Sequence, residues 1–188
     1  MSWFNEGPAF RRLTRFAFML ASAGLLAGCF EPLYGERTLT GGAGLRDRLS
    51  SIDVAQIEAA NGTPESRLAV QIRNSLLYDM TGGHGTVSPT HRLVIRLATT
   101  KQSIIVDVTS ARPDIENYGI DAIYTLTELA TGKAVMNGTT FARVSYDIPG
   151  GEQRFARARG LRDAESRAAK GISDNIKARL ASYFVAGT

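Results

Sequence analysis

Residues 120–147 read IDAIYTLTELATGKAVMNGTTFARVSYD and contain the clearest secondary-structure pattern of the chain. Apolar and polar residues alternate from Ile120 to Thr127, which indicates a β-strand with one buried face. Residues 130–133 (ATGK) have the composition of a turn, and a second strand is predicted from Ala134 to Asp147. Two strands joined by a short turn predict an antiparallel hairpin.

Further strands are predicted upstream of this hairpin. Residues 52–59 (IDVAQIEA) contain β-branched residues and no chain breaker, which is typical of a first strand. The alternation at 93–97 and again at 104–108 fits one long bent strand or two short ones equally well. Arg112-Pro113-Asp114 predicts a loop before the hairpin.

Two helices are predicted around these strands. The first opens at residues 63–65 (TPE), with Thr as N-cap and Pro at the first helical position, and Gly82-Gly83 ends it. The second runs from Glu152 to Phe184. Their predicted buried stripes are Leu68, Ile72, Leu76 and Met80 in the first helix, and Ala158, Leu161, Ala164, Ala168, Ile172, Ile176, Leu180 and Phe184 in the second.

These elements together predict the α+β class. We expect an α/β sandwich, in which a mixed sheet of about four strands packs against two helices and the second helix is long and C-terminal. Both helices can lie on the same face of the sheet. Residues 51–188 are predicted to form this single domain.

The N-terminal segment has the pattern of a bacterial lipoprotein signal. Three arginines between residues 11 and 15 precede an apolar run at 16–25, which is too short to span a bilayer. The small residues Ala27 and Gly28 then precede Cys29, the single cysteine of the chain. We therefore predict cleavage after Gly28 and lipidation of the Cys29 thiol.

The predicted lipid anchor defines the rest of the organisation. Residues 1–28 would be removed, and residues 29–50, rich in Gly, Thr and Arg, would form a tether. A lipid-modified N-terminus attaches a protein stably to a membrane when it carries two or more chains. The alternatives are an ordinary signal peptide with a chance cysteine, or a buried N-terminal helix in a cytosolic protein.

Composition excludes several function classes. About half of the formal net charge of +4 belongs to residues 1–28, so the remaining domain lacks the electrostatic footprint of a nucleic-acid-binding protein. The segment after Cys29 contains no other cysteine and cannot form an internal disulfide. We see no nucleophile, phosphate-loop or dinucleotide motif, and we expect neither catalysis nor a cofactor.

The two histidines do not predict a metal site. His84 and His91 lie seven residues apart, at a Gly-rich loop and at a strand start, without a nearby cysteine and without zinc-ligand spacing. We therefore interpret both as loop residues and expect no bound metal.

Several arginines crowd the predicted start of the last helix. Arg154, Arg157, Arg159 and Arg162 lie where the helix dipole disfavours cations by roughly 0.3–1 kcal/mol each. An anionic partner would compensate this cost, whereas pairing with neighbouring carboxylates is the simpler reading. Arg92, Arg96, Lys101 and Arg112 could extend the same basic surface.

The layout and several short motifs resemble the LPS-assembly lipoprotein LptE family. A lipobox is followed at once by Phe30-Glu31-Pro32-Leu33-Tyr34-Gly35, and the predicted order is strand, helix, strands, helix. Val144-Ser145-Tyr146-Asp147 then precedes a terminal helix that carries Asp163-Ala164 and Arg167-Ala168-Ala169. The resemblance covers essentially the whole chain.

The resemblance implies a function in the outer membrane. Members of this family sit as a plug in the lumen of the LptD β-barrel, assist its assembly and contact LPS, so it implies an LptD-type barrel, LPS and a membrane as partners. Because arginine forks match phosphates well, Arg112, Arg154 and Arg157 are our candidate LPS contacts. Phe30 stands where an Asp would retain a lipoprotein in the inner membrane, which favours an outer-membrane, periplasm-facing location.

Two other functions stay open at this point. One is a lipid-carrier lipoprotein that serves an ABC-type transporter, which would need an apolar groove. The other is a lipid-anchored periplasmic hydrolase, against which the missing nucleophile motif argues.

Overall fold

The computed structural model describes residues 44–83, 88–106, 113–148 and 154–186. The elements in chain order are α1 (Leu45–Ser50), β1 (Ile52–Val54), α2 (Pro64–Thr81), β2 (His91–Val106), β3 (Pro113–Glu128), β4 (Ala134–Asp147) and α3 (Arg154–Ala186). Within these residues the strands form one mixed sheet in the order β1-β2-β3-β4. β1 is parallel to β2, and the other neighbouring strands are antiparallel. The predicted α+β class is confirmed.

The predicted hairpin is formed by β3 and β4. Gly132 adopts a left-handed φ of 68°, and its amide donates to the carbonyl of Glu128 at 2.8 Å. The Glu128 amide donates in turn to the carbonyl of Lys133 at 2.9 Å, which closes the turn. A positive φ is accessible to glycine without a steric penalty, and the turn forms at the predicted residues 130–133.

The other strands differ from the sequence pattern in length. β2 is one strand of 16 residues with a register shift between Ser103 and Ile105. Of the two possibilities that the sequence allowed, one long strand is correct and two short strands are not. Pro113, predicted to lie in a loop, is the first residue of β3, a position where a missing N–H costs least. β1 ends at Val54 instead of Ala59, because the chain leaves β2 shortly after the Ala55 amide bonds the Leu93 carbonyl.

α2 has the capped ends that its sequence predicts. The Thr63 hydroxyl accepts a hydrogen bond from the Ser66 amide at 3.3 Å, and Pro64 is the first helical residue. Gly82 adopts the left-handed conformation, with φ 69°, and ends the helix. The four predicted stripe residues Leu68, Ile72, Leu76 and Met80 are all buried.

α3 extends over 33 residues, and its buried stripe is shorter than predicted. Ala164, Ala168, Ile172, Ile176 and Leu180 are buried, whereas Leu161 and Phe184 are only partly buried. Ala158 is exposed, because the first turns of α3 do not lie over the core. Small residues let α3 approach the sheet closely: a Cβ on Gly171 would lie 3.4 Å from the Cβ of Ala142 on β4. Among the described helices, none is long and apolar enough to cross a membrane.

Both long helices pack on one face of the sheet. The Ser173 hydroxyl of α3 donates to the carbonyl of Ile72 on α2 at 3.5 Å, so the two helices also contact each other. The buried strand residues point toward them and include Leu93, Ile95, Ile120, Ala122, Tyr124 and Leu126. The packed domain starts earlier than residue 51, because Leu45 and Leu49 of α1 are buried in the same core.

Candidate functional site

The candidate LPS-binding arginines lie partly outside the described residues. Arg112 is outside them, and α3 begins at Arg154, whose side chain is not among those described. Arg157 lies in α3, and its Nη2 is 3.2 Å from Oε1 of Glu116 on β3. The Arg157 side chain is still 54% exposed. It therefore has an internal partner and keeps N–H groups that an external anion can reach.

Glu116 also contacts Tyr146 on β4. The Tyr146 hydroxyl donates to Oε2 of Glu116, while Arg157 contacts the other carboxylate oxygen. Burial, helped by the Glu116 contact, raises the pKa of Tyr146 well above its usual range. The phenol therefore stays protonated at neutral pH and remains a donor. This cluster ties the first turns of α3 to the sheet.

A second polar pair joins the two long helices. Arg67 of α2 donates through Nη2 to Oε2 of Glu165 on α3, and the Glu165 side chain is only 2% exposed. Tyr118 of β3 is 1% exposed, and burial, with the Glu165 charge as a second cause, raises the pKa of Tyr118 to about 12. A buried carboxylate needs such a partner, so we assign this pair to helix packing.

The basic residues do not form the single surface that the sequence allowed. Arg92 and Arg96 are exposed and alternate with buried residues of β2, so they lie on the face opposite the helices. Lys101 lies on the helix side, with Nζ 5.9 Å from the ring centroid of Tyr118. Arg157 is also on the helix side. The sheet itself separates the two groups of cations.

The opposite face of the sheet is covered by none of the described helices, and we call it the open face. Its members include Arg92, Val94 and Arg96 on β2, Asp121, Ile123 and Thr125 on β3, and Thr139, Phe141 and Arg143 on β4. Phe141 is 65% and Ile123 is 59% exposed. The face thus combines a polar majority with a few large apolar side chains.

An ordered polar cluster lies at the centre of the open face. Nη2 of Arg143 lies 2.7 and 2.9 Å from the two carboxylate oxygens of Asp121. The guanidinium carbon lies 5.4 Å from the ring centroid of Phe141, within the range of a cation–π contact. Arg143 crosses Gly119, where a Cβ would lie 2.8 Å from its Cδ. Glycine is therefore needed for Arg143 to lie flat on the strand.

A cleft opens between β4 and α3, with a volume of about 310 Å³. We call it the β4–α3 cleft, and its lining includes Tyr124, Met136, Gly138, Arg179, Ser182 and Tyr183. A Cβ on Gly138 would lie 2.6 Å from the Tyr124 hydroxyl oxygen. The absence of a side chain at Gly138 thus makes room for the buried Tyr124 to reach the cleft.

Sequence reasoning did not identify this cleft. Its one signal is a glycine inside a predicted strand, which often marks a close approach of another group to the backbone. Which group approaches Gly138 depends on its cross-strand neighbour Tyr124, and the register of β3 and β4 sets that pairing.

The histidines lie apart from these surfaces or outside the described residues. His84 is outside them. His91 begins β2, and its ring packs edge-on against Phe184 at a centroid distance of 5.3 Å. Burial lowers the pKa of His91, and the Glu128 charge partly opposes this. In the described ranges there is no group of three or more His, Cys, Asp or Glu that could hold a metal ion.

Comparison with known proteins identifies the fold. No family model and no curated protein matches the chain. A candidate lipoprotein from Caulobacter crescentus CB15 matches with a TM-score of 0.59 at 20% identity, covering 78% of this chain and 98% of its own.

Two further lipoprotein structures match at lower identity. Rare lipoprotein B from Shewanella oneidensis has a TM-score of 0.51 at 13% identity, over 71% of this chain and 97% of its own. An uncharacterized lipoprotein B from Nitrosomonas europaea has a TM-score of 0.51 at 14% identity, over 73% and 90% of the two chains. At such identities the likeness shows a common fold.

Proposed function

We propose that this chain is an outer-membrane lipoprotein, anchored through Cys29, that partners an LptD-type β-barrel and assists LPS insertion. The observation that carries the proposal is the fold, which solved lipoproteins including rare lipoprotein B share over most of their length. The lipobox pattern at residues 26–29 is further support, because it is a local sequence motif and not a property of the fold.

The open face supports a protein partner. A sheet with one face packed and the other solvated is common, but here the solvated face carries Phe141 and Ile123, both more than half exposed. Aromatic and Arg side chains are enriched at the centres of protein interfaces. The remaining Thr and Arg residues suit the polar interior of an outer-membrane barrel. We assign the open face to the barrel wall.

Co-purification tests the partnership directly. Membranes are extracted in mild detergent, the protein is captured through a tag after Thr188, and mass spectrometry identifies what is retained. A Cys29→Ala form is the matched control. We expect a large outer-membrane barrel in near-equal amount with the lipidated form. An inner-membrane transporter would replace this proposal with the lipid-carrier alternative, and recovery of no barrel would refute it.

Crosslinking tests which surface contacts the barrel. A photoreactive phenylalanine analogue is placed at Phe141 on the open face or at Tyr78 on α2, and these two aromatic residues are 65% and 68% exposed. The native positions are already aromatic and solvent-accessible, so neither change should disturb packing. We expect a crosslink to the barrel from position 141 only. A crosslink from position 78 alone would place the barrel on the helix side.

The proposed LPS contacts are Arg112, Arg154 and Arg157. The substitution at Arg157 must not introduce repulsion with its partner Glu116. A glutamate at 157 would repel Glu116, so we choose Arg157→Gln combined with Arg112→Glu and Arg154→Glu. We expect weaker LPS binding and only a small drop in melting temperature, because Tyr146 still donates to Glu116 when the Arg157 charge is removed. Arg167→Gln, an exposed arginine paired with Asp163 on the same helix, is the control. Undiminished LPS binding in the triple variant would refute the assignment.

A further inference from the structure

We propose that the β4–α3 cleft binds a small carboxylate through Arg179, with the Tyr124 and Ser182 hydroxyls as additional donors. This site lies on the helix side of the sheet and has no part in the barrel or LPS contacts proposed above. The inference therefore goes beyond that function and can fail independently of it.

The residues that line the cleft carry a single positive charge. Arg179, Ser182 and Tyr183 lie three and four residues apart on α3, so they share one side of that helix and face the cleft together. The lining contains no Asp or Glu. No carboxylate among the described residues forms an ion pair with Arg179. The guanidinium is always charged, so the cleft is a positive site without a counter-ion among the residues that the structure describes.

Tyr124 supplies a hydroxyl donor in the wall of the cleft. Its side chain is held in the core, with the residue only 2% exposed, and its hydroxyl reaches the cleft beside Gly138. Burial raises the pKa of Tyr124, which Arg179 partly offsets, so the hydroxyl remains protonated at neutral pH. No hydrogen bond from this hydroxyl to another described residue is formed. The hydroxyl opens into the cleft and is therefore available to donate to a ligand oxygen.

The charge and the size of the cleft favour a carboxylate over a phosphate as its ligand. A phosphate monoester carries about −1.5 to −2 charges near neutral pH, which one guanidinium cannot balance. A carboxylate carries a single charge and accepts two parallel hydrogen bonds from one guanidinium. The cleft volume of about 310 Å³ is several times the roughly 30 Å³ that one water molecule occupies in the liquid, so a small organic acid fits. The partly buried Met136 and Tyr183 provide walls for an apolar body attached to the carboxylate.

The test is a titration of the full-length chain in mild detergent. The chain carries ¹⁵N-labelled glycine, and the Gly138 amide in the cleft wall reports binding of benzoate, acetate or inorganic phosphate. We expect a saturable shift with benzoate and a weaker one with acetate. Equal affinities for benzoate and acetate would mean that the cleft recognises the carboxylate alone. The natural ligand would then be a small acid without an apolar body.

Two variants separate this site from non-specific binding. Arg179→Gln should weaken benzoate binding about tenfold, the loss expected from removing one charge-assisted contact. Arg96→Gln, on the open face, should leave it unchanged. The proposal is overturned if no saturable shift occurs, if Arg179→Gln binds benzoate as well as the parent chain, or if phosphate binds more tightly than benzoate. None of these results bears on barrel co-purification.

Discussion

The two faces of the sheet are built from the same strands but have different surroundings. On β3, Ile120 is fully buried under the helices, whereas Ile123, three residues later, is 59% exposed on the open face. Both are β-branched residues that suit a strand. The covered face therefore maintains the fold, while the open face keeps apolar side chains that the fold itself does not need.

The largest expected effect tests this comparison on one strand. Ile120→Ala should lower the free energy of unfolding by about 2–5 kcal/mol, because it leaves a cavity under the helices. Ile123→Ala should change it by less than about 1 kcal/mol, since its side chain is already largely in water. Urea denaturation of both variants measures the two values. Equal losses would mean that the open face is also packed in the isolated protein.

A smaller effect is expected from the polar pair between the helices. Arg67→Met should cost about 2–3 kcal/mol, since it leaves the buried Glu165 carboxylate without its partner. The figure lies below that of a fully buried pair because the Arg67 side chain is 45% exposed. Arg167→Met, which breaks an exposed pair with Asp163, should cost less than about 1 kcal/mol. Thermal melts of the two variants compare a buried with a solvated ion pair, and similar melting temperatures would contradict the assignment.

Alanine substitutions at Gly138 on the covered face and Gly119 on the open face compare how readily the neighbouring side chains of the two faces can move. Gly138→Ala should cost about 1–2 kcal/mol, because the new Cβ would meet the buried ring of Tyr124. Gly119→Ala should cost less, since the groups that it meets are the side chains of Thr100 and Arg143 on the open face. Urea denaturation gives both values. A larger loss at Gly119 would show that the Arg143 cluster is as rigid as the core.

The smallest expected effect is a pH dependence at the margin of the covered face. Burial holds the pKa of His91 below its unfolded value near 6.5, so the unfolded state binds more protons as the pH falls. The stabilisation is complete above that unfolded value and is lost as the pH falls through the folded one. His91→Gln should therefore reduce the loss of unfolding free energy between pH 8 and pH 5. An unchanged pH profile would mean that His91 titrates as it does in water.

The sequence predicted the fold well where the pattern was local. The hairpin, the capping of α2 at Thr63 and Gly82, and the buried stripe of α2 depend on residues a few positions apart. It was less successful where an element's length depends on distant partners. β1 ends after three residues because the chain leaves β2 just beyond Ala55, and Ala158 is exposed because α3 extends past the core.

The candidate sites follow the same division. The lipidation site at Cys29 is a prediction from adjacent residues, and it lies outside the described residues. The alternation on β3 predicts one buried and one more polar face, but it does not show that the described helices leave the polar face uncovered or that Ile123 is exposed there. The β4–α3 cleft needs the register that brings Tyr124 opposite Gly138 and the helix that places Arg179 beside them.

Short-range patterns in the sequence were enough to predict the class of β1 to β4, α2 and α3, the hairpin turn and the capped ends of α2, since propensity and periodicity act over short distances. They missed α1, which lies in the predicted tether. The assembled fold was needed to show that both long helices lie on the same face of the sheet, that Glu116 pairs with Arg157, and that Arg179 has no counter-ion among the described residues. These outcomes depend on side chains brought together from far along the chain. Burial and charge pairing are set by that assembly, because both depend on which groups displace water around a residue.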